Sequence, residues 1–129
     1  MKSAEELNVI SKLIVDSFYS VHAELGPGLL ESVYEVCLIQ ELKIRKLNTL
    51  SQVSLPVIYK GQKLDKHYIV DLLVEDEIII EIKSVDLVLP VFKSQLLSYM
   101  RLSGKRLGFL VNFNVPVIKS GIQRVVNNF

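Results

Sequence analysis

Asp71 lies in the run Tyr68-Ile69-Val70-Asp71-Leu72-Leu73-Val74, and Glu81 and Lys83 close the run Ile78-Ile79-Ile80-Glu81-Ile82-Lys83. On a strand Glu81 and Lys83 share a face, because side chains repeat every second residue. A hairpin turning through Glu75-Asp76-Glu77 and centred on Asp76 sets Asp71 opposite Glu81. All three side chains then converge on one side of a sheet. Two opposed carboxylates repel unless positive charge sits between them, and either a divalent cation or the Lys83 ammonium supplies it. Mg²⁺ prefers oxygen ligands, commonly one or two carboxylates plus phosphate oxygens of a substrate. With a lysine to offset developing charge or help activate a water, the set suits metal-assisted hydrolysis of a phosphodiester. The same residues also make a structural Asp-Lys-Glu ion-pair cluster at a sheet edge, and so short a pattern does not separate the two readings.

The elements that must position this set follow from periodicity. Ser3 and Glu6 form a capping-box pattern, and Leu7, Ile10, Ile14, Phe18, Val21 and Leu25 recur at helical spacing until Gly26-Pro27-Gly28 stops the helix. A second helix runs from about Leu29 to Lys43–Lys46, with Glu31 in its first turn. Three β-rich stretches follow, Gln52 to Tyr59, Lys66 to Val74 and Ile78 to Lys83, joined by connections short enough to require an antiparallel meander. Pro56 marks an edge strand or a bulge in the first. Pro90 opens a third helix that Gly104 closes, Leu107 to Phe113 reads as a buried strand, and Val117 to Val126 as a last strand beside it. The order α-α-β-β-β-α-β-β gives an α/β fold with a mixed sheet, its third and fourth strands parallel through a right-handed crossover.

Composition narrows the class. A chain of 129 residues, 50% hydrophobic, is most simply one domain spanning 1–129 and needs no disulfide or structural metal to fold. One cysteine and two histidines exclude a disulfide framework and the usual Cys/His zinc sites, and point to a reducing, cytoplasmic setting. No apolar run reaches the length of a membrane span, and no signal-peptide pattern is seen. The net charge of +1 conceals an asymmetry, because all 14 carboxylates precede residue 87 while Lys93, Arg101, Lys105, Arg106, Lys119 and Arg124 follow it. Such a division means either an anionic partner or internal charge pairing.

The stretch Gly28-Leu29-Leu30-Glu31-Ser32-Val33-Tyr34 resembles the signature of the GxxExxY proteins, a branch of the PD-(D/E)xK nuclease superfamily. Leu25-Gly26-Pro27, Glu35, Asp71, Glu81-Ile82-Lys83, Gln95-Leu96-Leu97-Ser98-Tyr99, Gly108 to Phe113 and Gly121-Ile122-Gln123-Arg124 are similar to that family in the same order. The resemblance implies a restriction-endonuclease-like αβββαβ core with an extra N-terminal helix. It makes Asp71 and Glu81 metal-binding carboxylates, Lys83 the catalytic lysine, the Ile82 carbonyl a further ligand, Glu31 a third acidic group and Gln95 a helix glutamine of the site. Val70 stands where the superfamily's name has proline, a position without side-chain chemistry.

The resulting expectation is a Mg²⁺-dependent (or Mn²⁺-dependent) nuclease-like domain acting on DNA in preference to RNA, with Lys105, Arg106, Lys119 and Arg124 on the phosphate backbone. The alternative is a non-catalytic module that binds nucleic acid or protein on the same fold. A mean hydropathy of +0.35 adds the possibility of a homodimer. Taken one by one, Tyr34 and Tyr99 read as core residues with exposed hydroxyls, His22 as a helix-surface residue and Cys37 as a small buried one. His67 shares a face with Asp71 by alternation, and Asn112 bonds either backbone or substrate.

Overall fold

The reciprocal cap predicted at Ser3 is present: Glu6 N donates to Ser3 Oγ at 3.1 Å and Ser3 N to Glu6 Oε1 at 3.2 Å. It starts α1, Ala4–Leu25, in a computed structural model that describes residues 1–129. Helix α2 spans Glu31–Ile44 and α3 spans Pro90–Ser103. The strands are β1 Thr49–Tyr59, β2 Gln62–Val74, β3 Ile78–Lys83, β4 Leu107–Asn112 and β5 Ile122–Val126. They form one sheet in the order β1-β2-β3-β4-β5, antiparallel except for the parallel pair β3–β4. This is the expected mixed sheet with its meander and crossover.

Each face of the sheet carries its own core. Helices α1 and α2 cover one face, where Phe18 meets Phe109 and Phe113 edge-on at ring distances of 5.7 and 6.2 Å. Helix α3 covers the other with Leu96 and Met100 packed over Ile79, Leu110 and Val125. Gly108 lets it approach, since a Cβ there would lie 2.8 Å from Met100 Sδ. No helix is long and apolar enough to cross a membrane.

Three boundaries differ from the sequence reading. The last strand begins only at Ile122, because Ile118–Gly121 is a 3₁₀ turn. Ile118 is buried by that turn, and Gly121 sits so close to β4 that a Cβ would come within 2.1 Å of the Asn112 carbonyl oxygen. Strand β1 starts at Thr49 and β2 at Gln62, earlier than their apolar alternation suggests. The polar stretch Gln62 to His67 is held as strand by pairing with β1 rather than by burial. The edge position and the irregularity predicted for Pro56 both occur, with a register shift between Pro56 and Ile58.

Candidate active site

The β2–β3 hairpin has the register centred on Asp76, with Val74 paired to Ile78 and Leu72 to Ile80. The ladder then stops. Tyr68 and Val70 belong to the α3-side core, whereas Leu72 and Val74 belong to the opposite core, so β2 changes face at Asp71. Across from it on β1, Gln52 takes a left-handed φ of 53°, and the β1–β2 pairing, in register from Thr49–Val74 to Pro56–His67, skips these two residues. Such a backbone angle is strained for any residue with a side chain, and strain of this kind gathers at functional sites.

Asp71 occupies the split. Its Oδ2 accepts from the backbone N–H of Ile82 at 2.8 Å, replacing a ladder bond, while its own N–H donates to Glu81 Oε1 at 3.4 Å. Each carboxylate thus bonds backbone beside the other, but the two lean to different sides: the ladder ends before Asp71 can pair with Glu81, so the expected convergence of Asp71, Glu81 and Lys83 on one side of the sheet does not occur. Glu31, Ser32, Glu35, Gln52, Asp71 and Ile82 line a cavity of about 150 Å³ between α2 and the sheet. Glu81 and Lys83 alternate onto the α3 side, where Lys83 Nζ lies 4.3 Å from the Phe92 ring centroid. Burial first, and the Asp71 charge second, push the Glu81 carboxyl up to about 8.

The ion-pair alternative is not what the structure contains. Its two salt bridges are Arg45–Glu41 and Lys105–Asp76, so Lys83 pairs with neither carboxylate. The donor set fits a hard divalent cation: two neighbouring carboxylates, one of them raised, with the nearby ammonium turned to an aromatic face. No three acidic, histidine or cysteine side chains are arranged to hold a metal ion together, and Glu31 shares the Asp71 cavity without joining the Asp71–Glu81 pair.

Sequence reasoning gave two residues here, Glu35 and Gln52, no role in the site. Glu35, one helical turn after Glu31, accepts from Gln52 Nε2 at 2.7 Å, and the same nitrogen lies 3.4 Å from Asp71 Oδ1. The Glu31/Glu35 spacing was a usable signal; Gln52 had none, because only cross-strand pairing brings it to Asp71. On the α3 side Gln95 donates to the Tyr99 hydroxyl at 2.7 Å rather than to a carboxylate. Tyr99 is half-buried and stacks on Tyr68 at 4.5 Å, and burial followed by the Glu81 charge raises its phenol.

Several single-residue expectations change. The Tyr34 hydroxyl is buried, not exposed: it donates to Gly26 O at 2.6 Å and accepts from Leu29 N at 3.2 Å, while the ring stacks on Phe113 at 4.6 Å. Ser84 Oγ, just after β3, donates to Leu29 O at 2.5 Å, and the buried Asn112 amide bonds both the N–H and the carbonyl of Val85. Glycine loop, β3 end and β4 end are thus tied together behind the site. His22 bonds the Val115 carbonyl at 2.7 Å from a half-buried position, Cys37 is half-buried, and His67 is exposed on β2 opposite Pro56.

The four cations expected on phosphate do not gather at the carboxylates. Lys105 donates to the Asp76 carbonyl at 2.7 Å, Arg106 to the Lys2 carbonyl, and Arg124 to Asn8 Oδ1 at 2.9 Å; Lys119 is exposed in the 3₁₀ turn. Asp76 marks the end of β3 remote from Lys83, roughly 17 Å away at the usual strand rise.

A family model described as the PD-(D/E)XK nuclease superfamily matches residues 8–125. The chain belongs to that superfamily. The superfamily domain has a fold similar to the crystal structure of SSO0001, with a TM-score of 0.56 and 23% sequence identity over 77% of this chain. It spans about half of that protein, 51% of its length. No curated protein matches the chain.

Proposed function

We propose that this superfamily domain is a metal-dependent phosphodiesterase that cuts DNA, of the GxxExxY branch that Gly28, Glu31 and Tyr34 suggest. The observation carrying the reading is the neighbouring Asp71 and Glu81 carboxylates at the β2–β3 split, with Lys83 on the Glu81 side and ion-paired to neither. Asp71, Glu81 and the Ile82 carbonyl would hold Mg²⁺ or Mn²⁺, with Glu31 adjoining. When bound, the ion supplies charge that polarises the phosphate and makes a water acidic enough to attack it. Asp71 contributes a carboxylate fixed by the Ile82 N–H, so little reorganisation is needed. The Lys83 ammonium, resting on Phe92, offsets the extra negative charge of the pentavalent transition state or takes part in moving the water's proton. Gln95 orients the Tyr99 hydroxyl as a polar group on the Glu81 side.

The test is cleavage of double- and single-stranded DNA by the full chain with Mg²⁺ or Mn²⁺. Asp71→Ala is expected to abolish it and Lys83→Ala to slow it by about 100-fold or more. If either variant cuts as fast as the wild type across both metals, the assignment fails. Binding without any cleavage by the wild type would instead favour a non-catalytic module.

A further inference from the structure

Strand β2 has no partner on the β3 side once the ladder ends at Leu72, so from Asp71 back to Gln62 it pairs only with β1. The base of this two-stranded ribbon, with Val53, Leu55 and Tyr68, packs on α3. Beyond the bulge between Pro56 and Ile58 the ribbon leaves the molecule, and every residue from Ile58 to His67 is exposed. Its tip is the tight turn Lys60-Gly61, with φ of 50° and 78°, positive at both central residues as a type I′ hairpin requires. An isolated two-stranded ribbon is marginal on its own, and this one buries nothing at its tip.

The tip is basic. Lys60, Lys63 and Lys66 stand against one carboxylate, Asp65, with His67 at the root. None of these lysines is ion-paired, since both salt bridges lie elsewhere. The Lys60 ammonium sits 5.6 Å from the Tyr59 ring centroid, and Tyr59 is itself exposed.

We infer that the β1–β2 ribbon is a duplex-DNA docking arm that lays Lys60, Lys63 and Lys66 along the phosphates flanking the cleavage site. The inference rests on the nuclease reading for its substrate, while the arm itself is read from geometry and charge. The arm springs from Asp71, so at roughly 3.3 Å per residue Lys66 lies about 17 Å and the tip about 30 Å from that carboxylate. Those distances correspond to about five to nine base pairs of flanking duplex. A two-stranded ribbon is the size that a major groove about 12 Å wide admits. A single strand would instead call for a series of stacking rings, and the tip offers one.

The experiment measures binding of a labelled duplex of about two helical turns as a function of salt, without relying on cleavage. The triple variant Lys60→Ala/Lys63→Ala/Lys66→Ala is expected to weaken binding about tenfold or more and to flatten the slope of log affinity against log salt by about 2.7. Lys60→Arg/Lys63→Arg/Lys66→Arg should restore both. Unchanged affinity and slope in the alanine variant would overturn the arm, even if the wild type cuts DNA. Arm-dependent binding by a wild type that cuts nothing would uphold the arm and sink the nuclease reading. If the lysines only keep the ribbon from pairing with other copies, the alanine variant will associate with itself while binding DNA as before, which also overturns the proposal.

Discussion

Glu81 carries an electrostatic cost that a bound cation or a proton relieves. Its folded carboxyl titrates near 8 against 4.5 for the ordinary group, so between those values the folded chain holds a proton that the unfolded chain has lost. Stability from this group is complete below about pH 4.5, falls as pH rises toward 8, and levels off above it. We expect the urea midpoint to drop across that window, and Glu81→Gln to flatten the drop and stabilise the protein at pH 8; a Glu81→Gln profile that follows the wild type excludes this account. Tyr34 is the second residue whose role is local. Tyr34→Phe keeps the stack on Phe113 but leaves the Gly26 carbonyl and Leu29 N–H without their partner. A loss of about 1–3 kcal/mol in denaturant unfolding is expected. That tyrosine was legible as a core ring, whereas its clasp on the glycine loop was not, because the contact depends on how α2 leaves that loop.

Among the elements, the glycines of β4 and the 3₁₀ turn do different work. A Cβ at Gly121 would lie 2.1 Å from a backbone oxygen, which cannot swing aside, whereas one at Gly108 meets first the flexible end of Met100. Gly121→Ala is therefore expected to destabilise by about 1–3 kcal/mol or more and Gly108→Ala by less, a ranking that equilibrium unfolding of the two variants checks. Helices α1 and α3 were readable because their start signals, a capping box and a proline, agree with their apolar spacing and closing glycines. The length of β2 was not, since Gln62 to His67 has no apolar alternation and becomes strand only through hydrogen bonds to β1. The 3₁₀ turn was hidden for a related reason: Val117 and Ile118 look like strand residues, and only the approach of Gly121 to Asn112 decides otherwise.

At the scale of the molecule, one sheet shares two cores, and neither can be lost without exposing the other face. Phe18→Ala in one core and Leu96→Ala in the other should cost about 3–5 and 2–5 kcal/mol, within a single cooperative transition. With no tryptophan in the chain, near-ultraviolet circular dichroism reports Tyr34 in the first core and Tyr68 and Tyr99 beside the second. Its midpoint should coincide with that of the far-ultraviolet signal. At this scale Lys105, Arg106 and Arg124 of the carboxylate-free segment make contacts within the protein, with only Lys105 paired to a carboxylate. By itself the sequence determined the element order, the hairpin centred on Asp76 and the nearness of Asp71 to Glu81, because periodicity and turn length are local properties that constrain register. Only the tertiary structure decided that β2 changes face at Asp71, that Gln52 and Glu35 reach the site, that Lys83 rests on Phe92 and that the basic ribbon projects beyond the sheet. Those features depend on which surfaces pack and where pairing stops, and no spacing along the chain encodes either.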